Sequence, residues 1–316
     1  MNNKFFNIGS KVKNLGALIV LFVMLMVLSI VSPVFLTVSN IRNVIVQVAV
    51  IAVIAEGTTF VCLTGGIDLS VGAVLGVAGV LAAGVMRNTG NTTLAVLTCL
   101  GVAVLFGICS GVLIAYGNVA PFVSTLGLMS IARGIAFIYT HGKPISNFPD
   151  SFRFMGAGDI GGVPVMIYIV IVSYAIMYIV QQKTPFGRIT YAIGSNEEAT
   201  RLTGIDTKKY KVIIYTVAGF LTGIASLMYV GRINSGHPNS GTGYELDAIA
   251  AVVIGGTSLS GGKGSVLGTI VGALIMGVIK NGLNLLNVDT YYQNVVIGTV
   301  IILAVLFDRN SKNTNK

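Results

Sequence analysis

The feature that most constrains this chain is a succession of apolar runs, each about as long as a bilayer is thick. A helix needs roughly 20 apolar residues to cross ~30 Å of hydrocarbon. Ten segments approach that pattern: 15–31, 44–63, 68–85, 94–116, 121–139, 163–180, 212–230, 246–259, 265–286 and 291–307. Of 316 residues, 10% are charged and 54% hydrophobic, against about 25% charged in soluble domains. Too little polar surface remains to hold the chain in water, which argues against a soluble enzyme, a nucleic-acid binder or a disordered scaffold. The expected fold is all-α, a polytopic transmembrane bundle of about 10 spans forming one domain over 1–316.

The distribution of charge orients the bundle. Lys4, Lys11 and Lys13 precede the first run, and no small-residue cleavage site follows it, so it reads as an uncleaved anchor. With the N-terminus inside, alternation places segment 181–211, the turn 261–264 and the C-terminal tail on the same side. Thirteen of the 20 Lys and Arg residues fall there and 5 on the opposite side, with Arg133 and Lys280 inside spans. That bias obeys the positive-inside rule for an N-in, C-in protein. The net charge of +9 is therefore topological and does not point to nucleic acid.

Tryptophan is missing, so tyrosines are the expected interfacial anchors, among them Tyr116, Tyr139, Tyr210, Tyr229, Tyr244, Tyr291 and Tyr292. Arg133 and Lys280 are expected to snorkel. The pairs Gly72/Gly76 and Gly268/Gly272 have the small-xxx-small spacing of close helix packing. Cys62, Cys99 and Cys109 are odd in number, lie in apolar runs and lack C-x-x-C spacing, so they read as packing residues. His141 and His237 sit in separate loops and suggest no metal site.

Two Gly-rich segments look related: Gly65-Gly66-Ile67-Asp68-Leu69-Ser70 and Gly255-Gly256-Thr257-Ser258-Leu259-Ser260. Downstream, 72–76 matches 264–268 if two residues are inserted. Paired Gly-interrupted apolar segments are a pointer to repeat-built transporters with broken helices near the pathway. The turn around Gly262-Lys263 fails as a phosphate loop, because Thr257 stands at the first glycine and Gly264 at the hydroxyl position. No G-x-S-x-G or H-E-x-x-H motif is present, so the chain is not expected to be an enzyme.

Ionisable and amide residues within spans are functional candidates by default. Glu56 lies mid-run, to pair with another helix or face a wet cavity. Asp68, with Ser70 after Gly65-Gly66, reads as a helix N-cap or as pathway lining. Asn281, Asn284 and Gln293 suit a hydroxyl-rich substrate or interhelical hydrogen bonds equally. In segment 181–211, Asn196-Glu197-Glu198-Ala199-Thr200-Arg201-Leu202 reads as a short helix. Ser195 or Asn196 would cap it, its glutamates favour the first turn, and Gly204 would end it. Such a helix is too short to stand alone in water. Pattern alone leaves open a topology-setting basic loop or a docking element.

The run 194–205, GSNEEATRLTGI, resembles the cytoplasmic coupling segment of sugar permeases in ATP-binding cassette importers. The likeness continues through LTGGIDLSVG at 63–72 and is strongest in GTGYELDAIAAVVIGGTSLSGGKG at 241–264. NGLNLL at 281–286 with Tyr291-Tyr292-Gln293 adds to it. Together these resemble the ribose-type permease over nearly the whole chain after the first span. The resemblance implies a bacterial cytoplasmic-membrane subunit working as a homodimer or with a close paralogue. It implies an extracytoplasmic sugar-binding protein, and a cytoplasmic ATPase that holds the ATP and Mg while this chain binds no cofactor. Gly194, Glu197, Glu198, Ala199, Arg201 and Gly204 would then transmit closure, and no high-affinity sugar site need exist. Two rivals remain: an ion-coupled secondary transporter using Glu56 or Asp68, and a branched-chain amino acid permease of the same importer class.

Overall fold

The computed structural model describes residues 5–313. Lys4 and Lys316, part of the orientation argument, lie outside them. Among the described residues there are thirteen helices and four two-residue strands. In order these are α1 (Phe5–Val31), α2 (Val38–Leu63), α3 (Val71–Thr89), α4 (Thr92–Ala115), α5 (Pro121–Thr140), β1 (Ile145–Ser146), α6 (Asp150–Ala157), β2 (Asp159–Ile160) and β3 (Val163–Pro164). There follow α7 (Val165–Lys183), α8 (Pro185–Ser195), α9 (Glu197–Leu202), α10 (Thr207–Ile233), β4 (Ser235–Gly236), α11 (Tyr244–Ile254), α12 (Val266–Leu285) and α13 (Thr290–Asn313).

Every apolar run of the sequence coincides with a helix. Among the described residues, seven helices are long and apolar enough to cross a membrane: α2, α3, α4, α5, α7, α10 and α12. The protein is thus all-α and polytopic. The run 246–259 becomes the 11-residue α11, which at 1.5 Å per residue spans only about 16 Å.

The core forms around α2, whose residues from Val48 onward are almost wholly buried between α7, α10, α11 and α12. A helix apolar on every face belongs at the centre of a bundle. By contrast α4, α5 and α7 turn Leu97, Leu105, Phe122, Ile138, Ile171 and Ile179 outward. Glycines let α4 and α10 touch backbone to backbone. A Cβ on Gly219 would meet Ala103 O at 2.5 Å, and one on Gly111 would meet Val212 Cα at 2.6 Å. Of the two pairs expected from spacing, Gly272 does abut α11 at Ala251, but Gly72 and Gly76 receive the 238–241 loop together with the side chains of Glu245 and Arg133. Cys62 and Cys99 are buried as packing residues should be, whereas Cys109 is exposed on α4.

The segment between α5 and α7 is structured. Antiparallel pairs β1–β4 and β2–β3 flank α6, whose Phe152 and Gly156 are buried. Arg42 at the start of α2 bonds both Asp159 oxygens at 2.7 and 2.6 Å.

Candidate functional site

Two chain reversals and a short helix meet at one end of the bundle. The first ends α2 with a Schellman motif: Gly65 N–H donates to Cys62 O at 2.9 Å and Gly66 N–H to Val61 O at 3.1 Å. Gly65 adopts φ +77°, the left-handed region that glycine enters without a Cβ clash. The second ends α11 identically, with Gly256 N–H on Val253 O at 2.9 Å, Thr257 N–H on Val252 O at 3.1 Å, and Gly256 at φ +87°. The two segments matched in sequence are therefore the same backbone device, with the register moved by one: Gly65 corresponds to Gly256. The downstream match does not hold, since Gly72 lies inside α3 while Gly264 precedes α12.

The two reversals touch. Gly262 N–H donates to Leu63 O at 2.9 Å, and Thr59 and Thr269 share a hydroxyl hydrogen bond of 2.7 Å between α2 and α12. The third element, α8, closes on both. Its start is set by Thr184, which accepts from Gly187 N–H at 3.4 Å, with Pro185 in the first turn. Phe186 packs on Phe60 of α2 with ring centroids 5.9 Å apart. Tyr191 Oη donates to Gly264 O at 2.5 Å, and burial pushes its pKa up to about 12. Gly194 rests so close that a Cβ would run into Leu63 O and Gly262 N.

Beyond this junction α9 forms as the sequence predicts. Asn196 is the N-cap and accepts from Ala199 N–H at 2.9 Å. Glu197 and Glu198 lie in the first turn, and Gly204 follows at φ +85° with its N–H on Arg201 O at 3.0 Å. Glu197 is paired with Lys211 of α10 at 2.6 Å. Glu198 is paired with Arg201 at 2.6 Å, and that hydrogen bond holds its carboxyl below the usual range. Thr200 faces inward, while Ala199, Arg201 and Leu202 face out, Leu202 at 78% exposure.

The remaining candidates lie apart from one another. Asp68 is buried, and its Oδ1 accepts from Ser70 N–H at 2.8 Å and Ser70 Oγ at 2.6 Å. It serves an amide at the start of α3, yet Ser70, not Asp68, occupies the cap position. Glu56 is fully buried in α2, and neither carboxyl oxygen has a hydrogen-bond partner among the described residues. Asn281 exchanges two hydrogen bonds with Asn40, at 3.1 and 2.8 Å. Gln293 donates to Asn284 Oδ1 at 2.8 Å and Val288 O at 2.9 Å. These amides tie helices at the end opposite the junction.

Several polar residues are engaged in ways the sequence did not suggest. Arg133, expected to snorkel, donates from Nη1 to Pro238 O at 2.7 Å and Ser240 O at 2.9 Å. Lys280, also expected to snorkel, pairs with Asp247 of α11. Tyr229 and Tyr244, expected at the interface, meet edge to face with centroids 5.7 Å apart.

Comparison with known proteins places this architecture. The family described as "Branched-chain amino acid transport system / permease component" matches residues 40–305. The ribose import permease of Bacillus subtilis (strain 168) is 45% identical over 94% of this chain and 93% of its own length. That of Escherichia coli (strain K12) is 44% identical over 94% of both chains. The L-arabinose ABC transporter permease of Azospirillum brasilense is 34% identical over 96% of this chain and 90% of its own. No solved structure matches. With matches that run through every helix from α2 to α12, the chain belongs to the family of transport-system permease components.

Proposed function

We propose that this chain is the membrane-spanning permease subunit of an ATP-binding cassette importer that carries ribose across the cytoplasmic membrane. The observation that carries the reading is the 45% identity, over nearly the full length, to a ribose import permease. It is a multi-pass membrane protein. Its finer topology is about ten transmembrane segments, N-in and C-in, supported by the 13-to-5 split of basic residues across the alternating loops. On this reading segment 181–211 faces the cytoplasm, and a separate ATPase subunit that holds ATP and Mg docks on α9. A second copy of this chain completes the path, and an extracytoplasmic binding protein delivers the sugar.

The junction supports a route for coupling. A push on Leu202 and Arg201 passes through the Glu197–Lys211 ion pair to α10, and through Gly194 to the ends of α2 and α11. Replacing Glu197 with Ala removes the tie to α10. Replacing Gly204 with Ala forces a Cβ onto a φ of +85°. In the transporter reconstituted with its ATPase and binding protein, this double variant is expected to insert normally while sugar delivery falls away from ATP hydrolysis. Unchanged transport would remove the docking role. The ion-coupled alternative is lost unless the chain alone in liposomes takes up substrate along an imposed ion gradient. The branched-chain amino acid alternative requires leucine to compete for uptake, and the relatives named above are sugar permeases.

A further inference from the structure

At the end of the bundle away from the junction, α2, α10, α11 and α12 line a half-open cavity of about 260 Å³. Gln47 lies sixteen residues before Leu63, roughly 24 Å along α2 at 1.5 Å per residue. The cavity is lined by Gln47, Tyr229, Arg232, Tyr244, Gly277 and Lys280, with Ile51 and Ile233 beside them. Its size is below the ~300–1,000 Å³ of pockets for drug-sized ligands, which suits a small solute.

The chemistry of the wall is specific. The polar tips of Gln47, Tyr229, Arg232 and Tyr244 make no side-chain hydrogen bond to any described residue. Three amides elsewhere in this bundle, Asn40, Asn281 and Gln293, are tied up by neighbouring side chains. Lys280 is engaged: its Nζ pairs with Asp247 and lies 6.0 Å from the Tyr244 ring centroid. This contact, with the edge-to-face packing of Tyr229 on Tyr244, fixes the Tyr244 ring without occupying either phenol hydroxyl. A carboxamide and two phenols both donate and accept, and a guanidinium donates in a planar fork. An anion needs donors alone. A polyhydroxylated neutral molecule, each of whose groups is both donor and acceptor, matches this set, and the aromatic pair supplies an apolar wall for its C–H face.

We propose that this cavity is a low-affinity transit site for a neutral monosaccharide, with Gln47, Tyr229, Arg232 and Tyr244 as its hydrogen-bonding groups. The assignment deepens the import reading and rests on it for the identity of the sugar. The test uses the assembled transporter with Gln47→Cys in a Cys109→Ser background, since Cys62 and Cys99 are buried. Labelling by a small maleimide is expected to slow as ribose is added, and to halve where half the sites are filled. Adding Arg232→Gln should raise the ribose concentration needed about tenfold, the usual scale for a hydrogen bond to a charged group. If Gln47→Cys does not assemble, Tyr229→Cys on the facing helix takes its place. Labelling indifferent to ribose overturns the site even in a complex that imports ribose. Protection by ribose in a complex that does not import it keeps the site and removes the import reading.

Discussion

Asp68 shows how a single carboxylate can be read correctly in kind and wrongly in place. Its sequence setting, a glycine pair before and a serine two residues after, signals an acceptor for the amides opening a helix, and Oδ1 does take Ser70 N–H. The helix starts later than the apolar run suggests, because residues 64–70 stay non-helical and Ser70 takes the cap position. Asp68→Asn keeps an acceptor at Oδ1 and is expected to be mild. Asp68→Leu leaves the buried Ser70 groups unserved at about 1–3 kcal/mol. Thermal unfolding of the two variants in detergent measures the gap, and equal loss would mean that the charge itself is required. Lys280 teaches the converse. Hydropathy registers a cation inside a span but not its partner, Asp247, 33 residues away. Lys280→Met strands a buried carboxylate and is expected to cost ~3–5 kcal/mol, and Asp247→Asn added to it should restore much of the loss. A double variant no more stable than Lys280→Met would show that the pair is not what holds α11 to α12.

Among the elements, α9 was fully legible, because caps, first-turn acids and a terminal glycine are local signals that need no tertiary context. Its neighbour α8 carries a single local signal, the N-terminal helix signature Thr184-Pro185. Its stability comes from Phe186 and Tyr191 seated on α2 and on the 255–265 turn, contacts that only the folded chain reveals. The same dependence makes Gly194 critical. Gly194→Ala is expected to destabilise by ~1–3 kcal/mol through overpacking, since its Cβ meets the backbone of two other segments. Gly101→Ala on α4, where a Cβ meets nothing within 4 Å, is the control and should be neutral or stabilising. Melting temperatures compared in one detergent decide this, and equal shifts would mean that α8 is not tightly seated.

At the scale of the molecule, the apolar runs located the helices, because hydrocarbon tolerates little else. They could not distinguish a crossing helix from a half-length one, since burial by neighbours and burial by lipid favour the same residues. Thus α11 is as apolar as its neighbours yet stops at Gly255-Gly256, and the cavity beside Tyr244 opens at its other end. Nor could they reveal that the connections after α2 and α11, nearly two hundred residues apart, are joined by one backbone hydrogen bond. That bond offers a native reporter. The Gly262 amide exchanges its hydrogen with solvent only when Leu63 O lets it go, so deuterium uptake at this residue times the opening of the whole junction. Slow exchange is expected in the resting protein and fast exchange in Gly194→Ala. If the ATPase levers the junction apart, nucleotide alone will start the clock.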